Sequence, residues 1–127
     1  MKTLKLIVAL GLGAFVTACT SVPDIDIHIA QVNVTVSRAL SVSEANTFYP
    51  RGDIVWRGDP IGDRHKQVKA IFDNAIYNGT RDLAGARGVI VDIDVSRFHS
   101  LTEKSRYSVG GVHNMHFKMT LRDATTG

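Results

Sequence analysis

The sequence feature that most restricts the possible folds of this chain is a row of apolar residues at helical spacing. In the segment from Asp63 to Gly79, apolar side chains recur at the spacing of a single helix face. They are Val68, Ile71, Phe72, Ala75 and Ile76. Asp63 is a favourable N-cap residue and Gly79 a natural helix end, so the sequence predicts a helix between them. This is the clearest helix in the sequence, and its stripe requires an apolar surface to pack against.

Segments in which apolar and polar residues alternate supply that surface, because alternation is typical of half-buried strands. We predict strands over residues 25–36, 54–56, 88–98 and 115–122. In the first of these, the apolar positions change from odd to even near Ala30-Gln31, which predicts a bulge or a break.

Shorter signals predict the connections. Ser41 and Glu44 have the spacing of a capping box, which predicts a short helical turn, and Ser100 and Glu103 repeat that spacing. Gly110-Gly111 suits a tight hairpin turn between the last two strands.

The order strand, short strand, helix, strand, strand predicts an α+β fold. We expect a small two-layer sandwich, with one main helix packed on a mostly antiparallel sheet. The closing residues 123–127 are turn-forming, and a turn after a long strand normally leads to a return strand. The sequence is therefore predicted to be C-terminally incomplete, truncated before a final strand, with one sheet edge left open to aggregation or to a partner.

The amino-terminal residues have the layout of an export signal. Lys2 and Lys5 precede the uncharged apolar stretch Leu6–Val16, and small residues follow it. Val16-Thr17-Ala18-Cys19 resembles the bacterial lipobox. That resemblance implies cleavage before Cys19 and acylation of its thiol and amino group. We therefore predict a signal peptide over residues 1–18, a lipid-anchored tether over residues 19–24 and a single domain over residues 25–127.

Two other interpretations of this segment are weaker. A transmembrane helix needs about 20 predominantly apolar residues, which Leu6–Val16 does not reach. Cys19 is the only cysteine, so it has no partner for an internal disulfide in an oxidising compartment. Thr20 follows the cysteine, at the position where an Asp retains a lipoprotein at the inner membrane. The absence of an Asp there resembles the sorting signal of outer-membrane lipoproteins.

Charge and composition exclude some functions. The net charge of +3 falls to about +1 once Lys2 and Lys5 leave with the signal. No basic stripe with interleaved aromatic residues is present, so we expect no nucleic-acid partner.

The candidate chemical sites all have ordinary structural interpretations. Arg51–Asp53 matches the integrin-adhesion tripeptide, but it leads into a predicted strand and suits a turn. His113 and His116 point to opposite faces if both lie on a strand, so they could share a metal ion only if the segment bends; His65 and His99 have no recognisable spacing. Asp92 and Asp94 share a strand face, where they suit either acid–base chemistry or a solvated surface paired with Arg97 or a neighbouring strand.

Several segments together resemble a family of uncharacterised bacterial lipoproteins. They are the lipobox, "VSEANTFYPRGDIVWRGDPIGDR", "RFHSLTEKSRY", "GGVHNMHF" and "DATTG". The resemblance covers most of the chain, and members typically continue beyond its last residue. It implies no established activity and supplies no catalytic residues, metal or cofactor.

The sequence therefore predicts a non-enzymatic, lipid-anchored protein of the outer membrane that faces the periplasm. We expect it to assist envelope assembly or transport by contacting a protein partner through a sheet edge, or through the loops around Trp56 and Arg106-Tyr107. The alternatives are a periplasmic enzyme that uses Asp92 and Asp94 or the histidines, and an adhesion or solute-binding lipoprotein.

Overall fold

The computed structural model describes residues 24–127, so Cys19 and the predicted signal peptide lie outside the described residues. The elements follow the predicted order: β1 (Ile27–Val36), β2 (Ile54–Val55), α1 (Arg64–Thr80), β3 (Arg87–His99), α2 (Glu103–Arg106) and β4 (Asn114–Asp123). Neither helix has the length and apolar composition that crossing a bilayer requires.

β3 is the central strand of the sheet. β1 pairs with it in parallel from Ile27 opposite Arg87 onward, and β2 pairs in parallel with the last two residues of β3. β4 runs antiparallel along the full length of β3. Because β4 occupies one edge of β3, β1 and β2 lie end to end along the other edge.

The α+β class is as predicted, but the expectation of a mostly antiparallel sheet was wrong. Two of the three strand pairings are parallel. The physical reason is the crossover through α1, which carries the chain back to the starting end of β1 before β3 begins. Only the pairing of β3 with β4 is antiparallel.

The core lies between α1 and the sheet. Alternate residues of β3 as far as Val95, and Phe98 beyond a register shift, are almost completely buried, as are Val68 and Phe72 of α1. The β3 residues are Val89, Val91, Ile93, Val95 and Phe98. The rings of Trp56 and Phe72 each meet the ring of Phe98 edge-on, at centroid distances of 5.8 and 6.1 Å. Ile71 and Ile76 also pack against this core, so the predicted stripe is confirmed as the core face of α1 except at Ala75, which is exposed.

The start of α1 is fixed as predicted. The carboxylate of Asp63 accepts a hydrogen bond from the backbone N–H of Lys66 at 3.1 Å. The guanidinium of Arg38 donates to both oxygens of the same carboxylate, at 2.9 and 2.8 Å. The hydrogen bond from Arg38, followed by that from Lys66, lowers the pKa of Asp63 to about 2. At the other end, the helix continues one residue past Gly79 to Thr80.

The break predicted in the first strand is confirmed. The register of β1 against β3 shifts between Ile29 and Gln31, which leaves Ala30 as the extra residue of a bulge.

The predicted connections fared less well. Residues 41–44 form no helical turn, because the Ser41 hydroxyl donates to Asp53 instead of capping a helix. Thr102, and not Ser100, caps α2 by accepting from the backbone N–H of Ser105. Gly110-Gly111 does not form a tight hairpin, because residues 100–113 with α2 separate β3 from β4.

A close backbone approach joins the end of the crossover to the start of β1. The backbone N–H of Gly85 donates to the carbonyl of Ile27 at 2.9 Å, and His28 Nδ1 donates to the carbonyl of Gly85 at 2.8 Å. A Cβ atom on Gly85 would lie 2.1 Å from the backbone nitrogen of Ile27. Only glycine fits here without moving the edge strand.

We expect Gly85→Ala to lower the free energy of unfolding by about 1–3 kcal/mol, because the added methyl group forces β1 and the crossover apart. The measurement is urea unfolding followed by the fluorescence of Trp56, the single tryptophan. Gly79→Ala is the matched control: nothing lies within 4 Å of its added Cβ. It should raise the free energy of unfolding by about 0.5 kcal/mol through helix propensity. Equal effects of the two substitutions would contradict the close approach.

Candidate functional site

The two carboxylates that the sequence placed on one face of β3 have different surroundings. Asp92 forms an ion pair with Arg122 of β4 and accepts a hydrogen bond from Asn33 of β1 at 2.7 Å. The hydrogen bond from Arg122, followed by that from Asn33, lowers the pKa of Asp92. Asp94 is exposed and lies opposite Lys118. Asp92 therefore links β3 to β4 and β1. Of the two ion pairs that the sequence suggested for it, the one with a basic residue of a neighbouring strand forms, and the one with Arg97 does not.

The histidines are dispersed over the fold. His113 precedes β4, where its Nδ1 accepts from the backbone N–H of Leu101 at 3.3 Å, whereas His116 is exposed on β4. His65 donates through Nε2 to the carbonyl of Leu40 at 3.0 Å, and His99 donates through Nε2 to a carbonyl at 2.6 Å. Within residues 24–127, no three His, Cys, Asp or Glu residues are grouped as a metal site requires.

The Arg51–Asp53 segment is a turn at the entry to β2. The carboxylate of Asp53 accepts hydrogen bonds from the backbone N–H and the hydroxyl of Ser41, at 2.8 and 2.7 Å. These bonds, the backbone one first, lower the pKa of Asp53. Gly52 has a φ of 144° and its carbonyl accepts the bond from His99. The carboxylate that an adhesion site would present is thus already engaged within the domain.

A buried arginine side chain holds in place the loop that leads to Tyr49, an exposed aromatic residue. Arg64, at the start of α1, is only 4% exposed. Its guanidinium donates to both carboxylate oxygens of Glu44 at 2.7 and 3.0 Å, and also to the side chain of Gln67. The hydrogen bond from Arg64 lowers the pKa of Glu44. A bidentate pair of this kind has a fixed geometry. Because Arg64 is buried, moving Glu44 away would leave the charge of Arg64 without its carboxylate partner inside the domain.

Further contacts tie residues 44–47 to α2. Arg57 bridges the loop and the helix, because it forms an ion pair with Glu103 and donates to the carbonyl of Glu44 at 2.6 Å. The Thr102 hydroxyl donates to the carbonyl of Thr47 at 2.8 Å, and the Asn46 side chain accepts from a backbone N–H of α2 at 2.8 Å. The loop and α2 therefore form one connected unit beyond the ends of β2 and β3.

An open groove of about 620 Å³ lies beside this unit. Its lining is mainly apolar and comprises Phe48, Tyr49, Leu101, Ser105, residues 109–112 and Asn114. Tyr49 is 91% exposed, and the Lys104 ammonium lies 4.6 Å from the ring centre of Phe48. Gly110 and Gly111, with φ values of 75° and 149°, allow the chain to form the groove wall. Asp92, Asp94 and His116 do not line this groove.

An apolar stripe runs along β4 from the end of the groove. Four side chains that alternate along the strand face the same side as α1 but are about half exposed: Met115, Phe117, Met119 and Leu121. The ring of Phe117 meets that of Phe72 at 5.2 Å, so α1 reaches this row at one aromatic contact. We call these four side chains the β4 stripe. β4 pairs only with β3 among the described strands, so its outer edge is also unpaired.

The opposite face of β4 is polar and carries two basic side chains, Lys118 and Arg122, beside Asp94 and Asp92 of β3. His116, Lys118, Thr120 and Arg122 alternate with the stripe and are exposed. The single acidic residue of β4, Asp123, lies at its end and forms an ion pair with Arg87. β4 thus presents an apolar side, a polar side with two basic residues and an edge that pairs with no other strand of residues 24–127.

Comparison with known proteins bears on the same domain. A model of a family of unknown function, DUF6778, matches residues 27–127. The chain belongs to this family. The DUF6778 match begins with β1 and includes every strand and helix of the structure. No curated protein matches the chain, and no solved structure matches it either. Membership in DUF6778 therefore identifies the folded unit and gives it no activity.

Sequence reasoning missed the groove and the exposure of the β4 stripe. Alternation at Met115–Leu121 predicted a strand with a buried face, which is the usual meaning of such a pattern. One feature of the sequence did indicate that part of β4 would be exposed. The sequence predicts one long amphipathic helix but two long strands that each have an apolar face, and one helix cannot cover both faces. The exposed Tyr49 and Val112 of the groove gave no pattern, because both lie in loops.

We expect Arg64→Lys to lower the free energy of unfolding by about 2 kcal/mol, because lysine keeps the charge but cannot make the bidentate bonds. Hydrogen exchange of residues 43–50 should become faster, which links the ion pair to the loop. Arg38→Lys is the matched control, since Arg38 also donates to both oxygens of a carboxylate but its side chain is 63% exposed. Its effect should be smaller and should leave that loop protected; an equal effect would refute the special role of burial.

Proposed function

We propose that the protein is a lipid-anchored component of the bacterial envelope whose domain binds another protein. It serves as a non-enzymatic accessory to envelope assembly or transport. The observation that carries the binding role is the β4 stripe, four apolar side chains that are 45–61% exposed within residues 24–127.

The proposed anchor rests on the amino-terminal sequence. Val16-Thr17-Ala18-Cys19 follows a basic start and an apolar stretch, as in lipoprotein signals. A single acyl chain binds membranes only marginally, whereas two or more chains anchor a protein stably. Thr20 supports an outer-membrane location, with the domain facing the periplasm.

The topology supports an orientation in which the binding surface points away from the tether. The tether enters the domain at the start of β1, and Ile27 lies opposite the first residue of β3. The groove lies at the other end, next to Asn114, which pairs with the last residue of β3. An anchored domain would thus present the groove and the beginning of the β4 stripe toward the periplasm.

Binding through β4 is physically favourable because it supplies two kinds of contact at once. Covering the exposed half of each stripe side chain contributes on the order of 1 kcal/mol. The unpaired N–H and C=O groups of the edge can bond to an added strand, which is a common mode of peptide recognition. Exposed apolar patches beside polar residues are typical of protein interaction sites.

The surroundings of the acidic pair also support a binding role over an acid–base role. Arg122 keeps the carboxylate of Asp92 ionised, and the pair joins strands on a solvent-facing surface. Asp94 lies two residues away on the same exposed face. A general acid or base at neutral pH usually has a pKa shifted toward 7, and the pKa of Asp92 is shifted the other way.

Replacement of the cysteine tests the anchor. In the full chain, Cys19→Ala should abolish labelling by an alkyne fatty acid and should move the protein from the membrane pellet to the soluble fraction. Ser21→Ala, close by in the predicted tether, is the control and should change neither result. Unchanged labelling and pelleting of Cys19→Ala would refute the anchor without touching the binding role.

Site-specific photocrosslinking tests the binding role. With benzoylphenylalanine at Met119 or Leu121 of the full chain in intact envelopes, we expect one adduct of defined mass. The same group at Asn74, on the exposed side of α1, should give none. A second substitution, Met115→Asp, should remove the adduct while Trp56 fluorescence shows that the domain remains folded. Equal adducts from Asn74, or none from β4, would contradict docking at this strand.

A further inference from the structure

The open groove beyond the ends of β2 and β3 has a chemical character of its own. We infer that it binds one molecule of an anionic amphiphile, with the apolar chain between Phe48 and residues 109–112 and the acidic head group beside Lys104. Phe48 lines the groove, and the Lys104 ammonium lies 4.6 Å from the centre of its ring, so this cation lies at the rim. No residue of the β4 stripe lines the groove, so the site is separate from the proposed docking surface.

The walls of the groove suit an apolar chain. Leu101, Val109 and Val112 line it together with the rings of Phe48 and Tyr49. Val109 and Val112 are 77% and 85% exposed, so within residues 24–127 little covers them. The volume of about 620 Å³ lies within the range of roughly 300–1,000 Å³ that is usual for small-ligand sites.

The same walls have few hydrogen-bonding groups. Among the lining residues, only Tyr49, Ser105 and Asn114 have polar side chains. The Ser105 hydroxyl is buried and accepts from Thr102, and the Ser105 carbonyl accepts from the backbone N–H of Gly110 at 2.7 Å. A polypeptide in the groove would therefore leave backbone N–H and C=O groups without partners, whereas an acyl chain has none to satisfy.

The charges of the two wall segments favour an acidic head group. Residues 104–114 include Lys104 and Arg106 and no acidic residue. Residues 45–52 include Arg51 and no acidic residue. An acid bound at the rim would therefore meet basic side chains from both walls.

Two glutamates border these segments, and both are already engaged. Glu44 binds Arg64, and Glu103 binds Arg57. Lys104 is exposed, and within the described part of the chain no carboxylate pairs with it. An acidic head group beside the ring of Phe48 would supply that partner.

A single molecule fits the topology better than insertion into the anchoring bilayer. The thirteen residues of β3 run from Arg87, beside the start of β1, to His99, which pairs with Asn114 of the groove. They span about 40 Å at about 3.3 Å per residue. The predicted tether over residues 19–24 reaches only about 20 Å. This choice rests on the proposed anchor, whereas binding of the amphiphile does not.

The chain itself is the competing occupant. A return strand after the turn at residues 123–127 would run beside β4 toward Asn114, and its far end would come next to the groove. Such a strand pairs with the edge of β4, whereas Phe48 and residues 109–112 form the groove walls. The natural protein, with any residues that follow Gly127, therefore has to be tested beside residues 1–127.

Photoaffinity labelling of both forms in nanodiscs of neutral lipid tests the inference. The probe is dodecanoic acid with a diazirine near the end of its chain, and the control probe is dodecylamine with the same diazirine. Mass spectrometry of the digested protein should place saturable adducts of the acid on residues 48–49 or 109–112. We expect about fivefold less labelling by the amine, the size of effect that follows when an exposed ion pair is replaced by two like charges.

Matched variants separate the two halves of the site. Lys104→Gln should reduce labelling by the acid severalfold, whereas Lys66→Gln, which removes an exposed charge from α1, should leave it unchanged. Val112→Asn should weaken labelling by both probes. Ile61→Asn is its control, because Ile61 is 88% exposed and does not line the groove. Unchanged Trp56 fluorescence should show that each variant remains folded.

Each alternative occupant gives a different result. Equal labelling by the acid and the amine overturns the acidic head group, and the absence of saturable adducts overturns the site. Adducts at the same residues from a diazirine phospholipid of the nanodisc identify the bilayer as the occupant and overturn the inference. So does labelling of residues 1–127 that is lost in the natural protein, because the continuing chain then fills the groove.

A protein occupant would be identified by benzoylphenylalanine at Val112 in intact envelopes. One protein adduct of defined mass from this position would overturn the inference, and its absence together with saturable labelling by the acid would support it. These outcomes are independent of the crosslinks from Met119 and Leu121. Failure of the groove and failure of docking at β4 are therefore distinguishable.

Discussion

The pairing of β3 along both of its edges is the constraint on which the rest of the domain depends. Within residues 24–127 it is the strand that every other strand contacts. Its buried side chains, with Ile93 only 1% exposed, also form the surface on which α1 packs. A β3 shifted by one residue would turn Val91, Ile93 and Val95 to water and bring Asp92 under the helix. The side chains that bind Asp92 on the outer face, Arg122 and Asn33, thus favour the same register as the core.

The exposed apolar surface of β4 is a consequence of where the helix lies relative to β3. α1 packs over β1 and the core residues of β3, and it reaches β4 through the contact of Phe72 with Phe117. A helix about 10 Å wide covers roughly two strands at the 4.8 Å spacing of a sheet. A third strand therefore keeps an apolar row in contact with water. On β4 that row lies beside an edge that pairs with no other strand of residues 24–127.

Two arginine residues outside the long β1–β2 connection hold that connection in a fixed position. Arg64 is buried and binds Glu44, while Arg57 joins the same loop to α2. Within the described residues, every buried polar side-chain atom has a hydrogen-bond partner. These ion pairs replace the regular secondary structure that residues 37–53 lack. Their result is a fixed loop that holds Phe48 and Tyr49 at the rim of the groove.

Much of the local structure followed from periodicity. The stripe Val68–Ile76 gave α1, the parity change near Ala30 gave the bulge in β1, and alternation gave β3 and β4 close to their observed limits. The capping signals were weaker, because a serine or glutamate near a turn has many partners to choose from. Ser41 bonded to Asp53 and Glu44 to Arg64, both distant in sequence. The direction of pairing was also missed, since alternation is the same in parallel and antiparallel strands.

The sequence by itself determined the long helix, the long strands and their apolar faces, because these properties depend on the spacing of neighbouring residues. It also contains the segment Val16–Cys19, whose resemblance to a lipobox can be seen without knowledge of the fold. Only the tertiary structure decided that β1 and β2 share one edge of β3 and that Asp92 is tied to Arg122. The same holds for the exposure of the β4 stripe. A residue's burial depends on what reaches it from elsewhere in the chain, and one helix is too narrow to cover every apolar row that the strands present.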